Sequence, residues 1–453
     1  MTHGSQTWLP DGNHSMAAPR TRLTLALLLM AAASAAVARS AGGPPRADPR
    51  RIEARILALA RFGANPEGGV SRVAFSAADV AGREYVASLM RAAGLGVRID
   101  AAGNILGRRE GREPRLPLIL FGSHIDSVPG GGNYDGDVGV IGAIECVELL
   151  NAASLRTRHP LEVVVFSDEE GGLVGSRAMA GELTPGALDV VGHSGRTVRE
   201  GIRAIGGDPD QLASARRAST ELRAFVELHI EQGAILEEKG FDVGVVEGIV
   251  GINWWDVAVE GVANHAGTTP MDLRHDALVA AAQLVLAVRR VVTSVPGRQV
   301  GTVGRIAAAP GAPNVIPGRV DMSLELRDLS AEKIQSLFAS IQGEARAIEA
   351  STGTRISFRA IDATAVPALT DERIRRSIAA AADALGLEHL SMPSGAGHDA
   401  QDMARLTPTG MIFVPSAGGI SHSPKEYTSP EQMARGVDVL LRTILAIDAG
   451  TLD

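Results

Sequence analysis

The sequence predicts an α/β protein interrupted by a small α+β sandwich, and three observations lead there. Short apolar runs at residues 117–121, 161–166 and 225–228 are each followed by a segment crowded with Gly, His, Asp or Glu. From about Gly248 to Val366 the pattern changes to a strand, helix, strand, strand, helix, strand order. The chain then returns to Gly-rich polar loops at residues 394–399 and 418–424.

Apolar runs of four to six residues without alternation read as strands buried on both faces, and α/β sheets of this kind place ligands at the carboxyl ends of such strands. Before them, residues 51–62 carry Ile52, Ile56, Leu57 and Leu59 at helical spacing. In the middle section, residues 252–259, 299–306 and 319–326 read as strands, and 274–292 and 331–350 as helices. Two β-α-β halves in a row form a layer that buries its own core, here inserted into the first domain. A last helix covers residues 430–447. The domain reading is therefore 51–247 with 367–453, and 248–366 inserted as a lid.

At 453 residues, two domains are expected. Apolar residues make up 45% and aromatics 3%, which suits close-packed α/β layers, and a net charge of −8 excludes a nucleic-acid partner. Arg20 and Arg22 precede a weakly polar to apolar run over residues 23–38 that ends Ala36-Val37-Ala38. That fits a secretory signal (residues 1–38, or 16–38 from Met16), too short for a stable membrane span, and predicts export to the periplasm. A linker, residues 39–50, is Gly/Pro-rich from Ala41 to Pro49. The single cysteine, Cys146, lies in an apolar run and reads as core.

Four clusters carry chemistry. Gly122-Ser123-His124-Ile125-Asp126-Ser127 closes the first buried run, so His124 and Asp126, two apart, share a face, with Asp126 placed to orient the imidazole. Asp135 follows a glycine-rich turn, and its two oxygens allow it to bridge two cations. Asp168-Glu169-Glu170-Gly171 follows the second run; in an extended segment the adjacent carboxylates point apart, one toward a metal and one toward a water as general base. His229, in Glu227-Leu228-His229-Ile230-Glu231-Gln232-Gly233, closes the third run, and His422 sits in Ser421-His422-Ser423-Pro424. Each alone is as compatible with a hydrogen-bonded loop residue. Together they suit zinc or manganese rather than a thiolate structural site.

The ordered set His-x-Asp, Asn-Tyr-Asp-Gly, Asp-Glu-Glu-Gly, Leu-His-Ile-Glu-Gln-Gly, Asn-His-Ala-Gly-Thr-Thr-Pro-Met, Ser-Gly-Ala-Gly-His-Asp-Ala and Gly-Ile-Ser-His-Ser-Pro resembles the family of N-carbamoyl-L-amino-acid amidohydrolase, allantoate amidohydrolase and β-ureidopropionase. The resemblance runs from about Arg51 to the last helix. It implies a zinc-peptidase-like mixed-sheet catalytic domain with an inserted ferredoxin-like α+β lid domain that also dimerises. It makes His124, Asp135 and His229 ligands of one divalent metal ion, and Asp135, Glu170 and His422 ligands of a second. Zn2+ is the first expectation, with Mn2+, Co2+ or Ni2+ as alternatives. Glu169 becomes the general base, His265 polarises the scissile carbonyl and Asp126 supports the catalytic set. Gln232 contacts the carbamoyl or amide end, and Asn314, Arg327 and Gly397 complete the substrate contacts, Asn314 and Arg327 at its carboxylate. A cis peptide at Asp135–Gly136 is also implied. The implied reaction is hydrolysis of a ureido or carbamoyl C–N bond of a small carboxylate-bearing substrate. Two alternatives stay open: an aminoacylase or dipeptidase on the same scaffold, and a non-catalytic binding protein.

Overall fold

Strands without a polar face force a sheet covered on both sides, and the computed structural model, which describes residues 45–361 and 365–453, has one. The signal reading and the first half of the linker fall on residues outside those described. Strands β1 (Gly96–Ile99), β2 (Ile105–Arg109), β3 (Leu118–His124), β4 (Leu161–Phe166), β5 (Leu222–Ile230) and β6 (Val243–Ile249) come first. β7 (Gly251–Glu260), β8 (Asn264–His265), β9 (Val300–Thr302), β10 (Ile306–Ala309), β11 (Val315–Ile316), β12 (Arg319–Asp328) and β13 (Arg355–Ala360) form the middle section. β14 (Ala368–Leu369), β15 (His389–Ser394) and β16 (Thr409–Val414) follow.

The main sheet runs β1-β2-β4-β3-β5-β16-β6-β14, with β15 beside β6. Its centre, β4-β3-β5-β16, is parallel, and every residue of β3, β4 and β16 is buried. Parallel strands end together, so the segments after β3, β4, β5 and β16 converge on one edge of the sheet. The chain returns from the middle section to supply β16, so the last ligand-bearing loop joins loops that precede the insertion.

Helix α1 (Pro49–Leu59) starts inside the expected linker, because Asp48 accepts from the amides of Arg50 and Arg51 and Pro49 takes the first helical position. Helix α2 (Asp137–Ala152) is buried almost all round, Cys146 included. Gly139 makes this possible: a Cβ there would stand 2.3 Å from the Leu228 carbonyl oxygen.

In the middle section β10-β12-β7-β13 form an antiparallel sheet, with β9 also on β12, the order of a ferredoxin-like layer. Helices α3 (Ala277–Ser294) and α4 (Ala331–Thr352) cover it, and its core draws only on residues between Trp255 and Ile356. α3 is long and apolar enough to cross a membrane, but Ala281, Leu284, Val288 and Val291 are buried in this core. The run 299–306 is not one strand. Residues 303–305 oppose only Ser323 and Leu324, so one extra residue makes a bulge on the sheet edge and divides β9 from β10. Helix α5 (Pro430–Asp448) closes the chain with a Ser429–Gln432 capping box.

Candidate metal centre

His124 ends β3 opposite Phe166 of β4, and His229 lies near the end of β5 opposite Phe413 of β16. Both imidazoles are anchored through Nδ1, His124 to the Asp126 carbonyl at 3.0 Å and His229 to the Ile230 carbonyl at 2.9 Å. A proton held on Nδ1 leaves the Nε2 lone pair facing the site as a ligand; that of His229 accepts the Gly136 amide at 3.2 Å, a bond a cation would replace. Asp135 lies between them, its Oδ1 3.5 Å from His124 Nε2 and 3.0 Å from His229 Nε2. Its Oδ2 faces the other way, 3.3 Å from His422 Nε2, and His422 Nε2 is 3.5 Å from Glu170 Oε2. His124-Asp135-His229 and Asp135-Glu170-His422 are thus two donor triads sharing one carboxylate, each oxygen turned to one triad.

The spacing can be tested against metal chemistry. Ligands roughly 2.0–2.1 Å from a tetrahedral ion stand about 3.3 Å from one another. The four distances, 3.0 to 3.5 Å, bracket that value. His124 Nε2 and Glu170 Oε1 are also buried without a hydrogen-bond partner. Among the described residues Asp126, Asp135, Glu169 and Glu170 make ion pairs only with histidines, never with Lys or Arg. Buried carboxylates without a counter-charge are costly, so the donor set fits two cations.

All five donors fall within the stretch that carries the family match. A model of peptidase family M20/M25/M40 matches residues 120–446. The chain belongs to peptidase family M20/M25/M40. N-carbamoyl-L-amino acid amidohydrolase of Geobacillus stearothermophilus is 42% identical over 405 residues, covering 88% of this chain and 98% of that protein. Ureidoglycolate hydrolase of Arabidopsis thaliana is 41% identical over 406 residues, 87% of this chain and 85% of that one. Among solved structures, an amidase of the hydantoinase/carbamoylase family from Burkholderia multivorans aligns with a TM-score of 0.84 and 35% identity, covering 89% of this chain and 98% of that one. This M20 member is therefore an amidohydrolase, in a family whose enzymes use divalent metal ions.

Three local expectations need correction in this M20 site. Glu169–Gly172 is one helical turn rather than an extended segment, started by Asp168 at φ +53. It sends both carboxylates into the site, Glu169 Oε2 to 3.8 Å from His124 Nε2 and Glu170 toward His422. The Asp126 carboxylate reaches His124 Nδ1 only as a 3.6 Å ion pair; the hydrogen bond that orients the imidazole is accepted by the Asp126 backbone carbonyl. The carboxylate oxygens instead accept the amides of Glu169 at 3.3 Å and Glu170 at 3.1 Å, fixing the turn that carries both glutamates. The Asp135–Gly136 peptide is also trans, since Ala309–Pro310 is the cis bond among the described residues. Gly136 at φ +66 does the turning instead, its backbone packed against the His124 ring.

Charge is tightly coupled here. Burial would lower the His124 imidazole, but Glu169, Asp126 and Asp135 hold it well above the usual range. Burial would raise Asp135, but His229, His124 and His422 hold it well below. Glu169 is pushed well up by burial, opposed by His124 and reinforced by Asp399 and Glu170. A carboxylate with high proton affinity beside the triads suits proton transfer.

The structure places the substrate-side candidates in three groups. Gln232, at φ +58, donates to Asp135 Oδ2 at 2.7 Å and lies within the cluster. His265 and Asn314 sit together on the β8–β11 ribbon, where Ala266 N donates to the Asn314 carbonyl. The amides of Gly267 and Thr268 both donate to His265 Nδ1, which leaves the ring proton on Nε2. Arg327 is held by Glu325 through Nε at 2.7 Å and Nη2 at 3.1 Å, while Nη1 donates to the carbonyl of Gly395, two residues before Gly397. None of His265, Asn314, Arg327 or Gly397 hydrogen-bonds to the triads.

Residues not anticipated lie beneath the ligands. Arg72, fully buried, donates to the carbonyls of Leu59, Phe62 and Ile125 and to Asp137, tying the His124 loop to α1 and α2. Glu227 accepts Ser123 Oγ at 2.6 Å and Ala400 N at 3.0 Å, behind His229. Glu426 joins the Asp135 and His422 loops. The one signal for Glu426 is an acidic residue four positions after a ligand histidine in the same short loop.

Proposed function

We propose that this chain hydrolyses the C–N bond of an N-carbamoyl amino acid or related ureido acid with two divalent cations, giving amino acid, carbon dioxide and ammonia. The observation that carries the two-cation reading is Asp135, whose oxygens each complete a separate triad. The carbamoyl and ureido chemistry is supported by relatives above 40% identity named for such substrates. Zn2+ suits the mixed His/carboxylate set best, with Mn2+, Co2+ and Ni2+ as alternatives.

His124, Asp135 and His229 would hold one cation, and Asp135, Glu170 and His422 the other. When bound, the pair would acidify water and polarise the substrate carbonyl. Glu169, 3.8 Å from His124 Nε2 and beside both triads, takes the proton of the attacking water and delivers it to the leaving nitrogen. Gln232 binds the carbamoyl end. His265, carrying its proton on Nε2, donates to the developing oxyanion. Arg327 and Asn314 take the substrate carboxylate: Glu325 holds the guanidinium side-on, and substrate would displace the Gly395 carbonyl from Nη1. His265, Asn314 and Arg327 all lie in the inserted layer, so closure of that layer as a lid would bring them to the cations. The exposed Leu278, Val279 and Leu286 on α3 support a homodimer through the same layer.

The test is ammonia release by metal-loaded protein from N-carbamoyl amino acids, ureidoglycolate and allantoate, with N-acetyl amino acids as comparison. The proposal expects ammonia, abolished by chelator and restored by metal. Amino acid released from the N-acetyl series alone would make the enzyme an aminoacylase, and no turnover of either series would leave a binding protein.

A further inference from the structure

Two ligands of the second triad come from loops far apart in sequence, and one buried side chain spans them. Glu426, 4% exposed, accepts the amides of Tyr134 at 2.9 Å and Asp135 at 3.1 Å through Oε1. Through Oε2 it accepts Ser421 Oγ at 2.9 Å and the amide of His422 at 3.2 Å. All four donors belong to the two ligand loops, and no Lys or Arg pairs with it among the described residues. Space for it is made by Gly132, where a Cβ would stand 2.0 Å from Glu426 Oε1.

We propose that Glu426 is a positioning residue that sets the distance between Asp135 and His422, and thereby the affinity of the cation held by Asp135, Glu170 and His422. The inference rests on the two-cation reading above. A carboxylate has two oxygens, each able to accept two hydrogen bonds, and four converging donors require all of that capacity. Main-chain amides at ligand positions are the strongest handle on a ligand, because they move its Cα rather than its rotamer. An amide side chain cannot substitute. In Glu426→Gln one oxygen can still accept two donors, but the NH2 group meets another N–H donor at His422 or at Tyr134 and Asp135. One loop must then move away from the other.

The experiment compares wild type with E426Q as full chains, stripped of metal and reloaded with Zn2+ or Co2+. It measures cations per chain, affinity by competition with a chromogenic chelator, the visible Co2+ spectrum, and melting of the metal-free form. Wild type is expected to hold two cations. E426Q is expected to hold one with little change and to bind the other about 10- to 100-fold more weakly, the range for partners that orient ligands. Its Co2+ spectrum should change in the same half, while its metal-free form melts as a folded protein. Two cations in E426Q at wild-type affinity, with an unchanged spectrum, would overturn the proposal for Glu426 and leave the two-cation reading standing. Fewer than two in wild type would overturn both. If E426Q does not fold, Glu426→Asp keeps both acceptor oxygens but shortens the side chain by one methylene, so it cannot reach both loops and should weaken the same cation several-fold; unchanged affinity there overturns the proposal equally.

Discussion

Gly136→Ala probes the closest packing in the centre. A Cβ at Gly136 would lie 2.6 Å from His124 Cε1 and Nε2 and 2.7 Å from Cδ2, where ordinary contact begins at 3.4 Å. The ring would therefore have to retreat by about 0.8 Å, well beyond the roughly 0.2 Å within which metal–ligand distances are held. Its Nδ1 bond to the Asp126 carbonyl opposes that movement. Backbone strain at φ +66 adds about 1–2 kcal/mol for a residue with a Cβ, and overpacking about 1–3 kcal/mol. The total, about 2–5 kcal/mol, is below the stability of an ordinary domain, so the variant should fold. It should lose the cation held by His124 and His229, with affinity at that position falling by more than about 10-fold and turnover with it. Gly130→Ala is the control: Gly130 has φ +69 but nothing within 4 Å of a Cβ, so it carries strain without a clash. Metal content by elemental analysis and chelator competition on both variants decides the matter. G136A with wild-type affinity, or G130A with an equal loss, would refute the packing argument.

Three further outcomes follow from the same geometry. Arg72→Met leaves Asp137 buried without its 2.5 Å partner, which should cost about 3–5 kcal/mol in denaturant unfolding; a shift below about 1 kcal/mol would contradict the role given to Arg72. In the metal-free protein His422 is raised to about 9, chiefly by its bond to Asp135, and Glu170 to about 7, chiefly by burial. Both hold protons at pH 6 that a cation must expel, so apparent affinity should rise between pH 6 and 9 by about tenfold per pH unit per proton released. Calorimetric titration in two buffers measures that release, and pH-independent binding without it would count against the ligand set. His265→Ala should keep both cations and lose about 3–4 kcal/mol of transition-state stabilisation, read as a fall of roughly 10²–10³ in kcat; near-normal kcat would remove His265 from the mechanism.

Much of the fold was legible because its central strands are marked by short, predominantly apolar runs, interrupted only by Glu162 in one and Glu227 in another. Residues 161–166 read as a strand and form β4 without a residue's difference. His124 and His229 were legible as candidates for the same reason, since each closes a buried run, whereas the grouping of the donors into two triads came from the family resemblance and not from spacing. What the sequence hid was local backbone geometry. Asp168 adopts a left-handed conformation and winds Glu169 and Glu170 into a turn, and the single extra residue near Gly304 splits one apparent strand in two. Neither has a compositional signature. Arg72 and Glu426 were hidden for a different reason. Their partners are mostly main-chain groups from distant loops, and no spacing in the sequence records which carbonyls or amides will meet in space.

The most direct test of the account is Glu169→Gln, with metal content and turnover measured on the same sample. The substitution preserves size and leaves His124, Asp135, Glu170, His229 and His422 untouched. Two cations per chain are expected, as in wild type, with turnover of the carbamoyl or ureido substrate lowered by at least about 10²-fold, the lower range for a general base. Wild-type turnover, or loss of a cation from this variant while Glu170→Gln keeps both, would contradict the account.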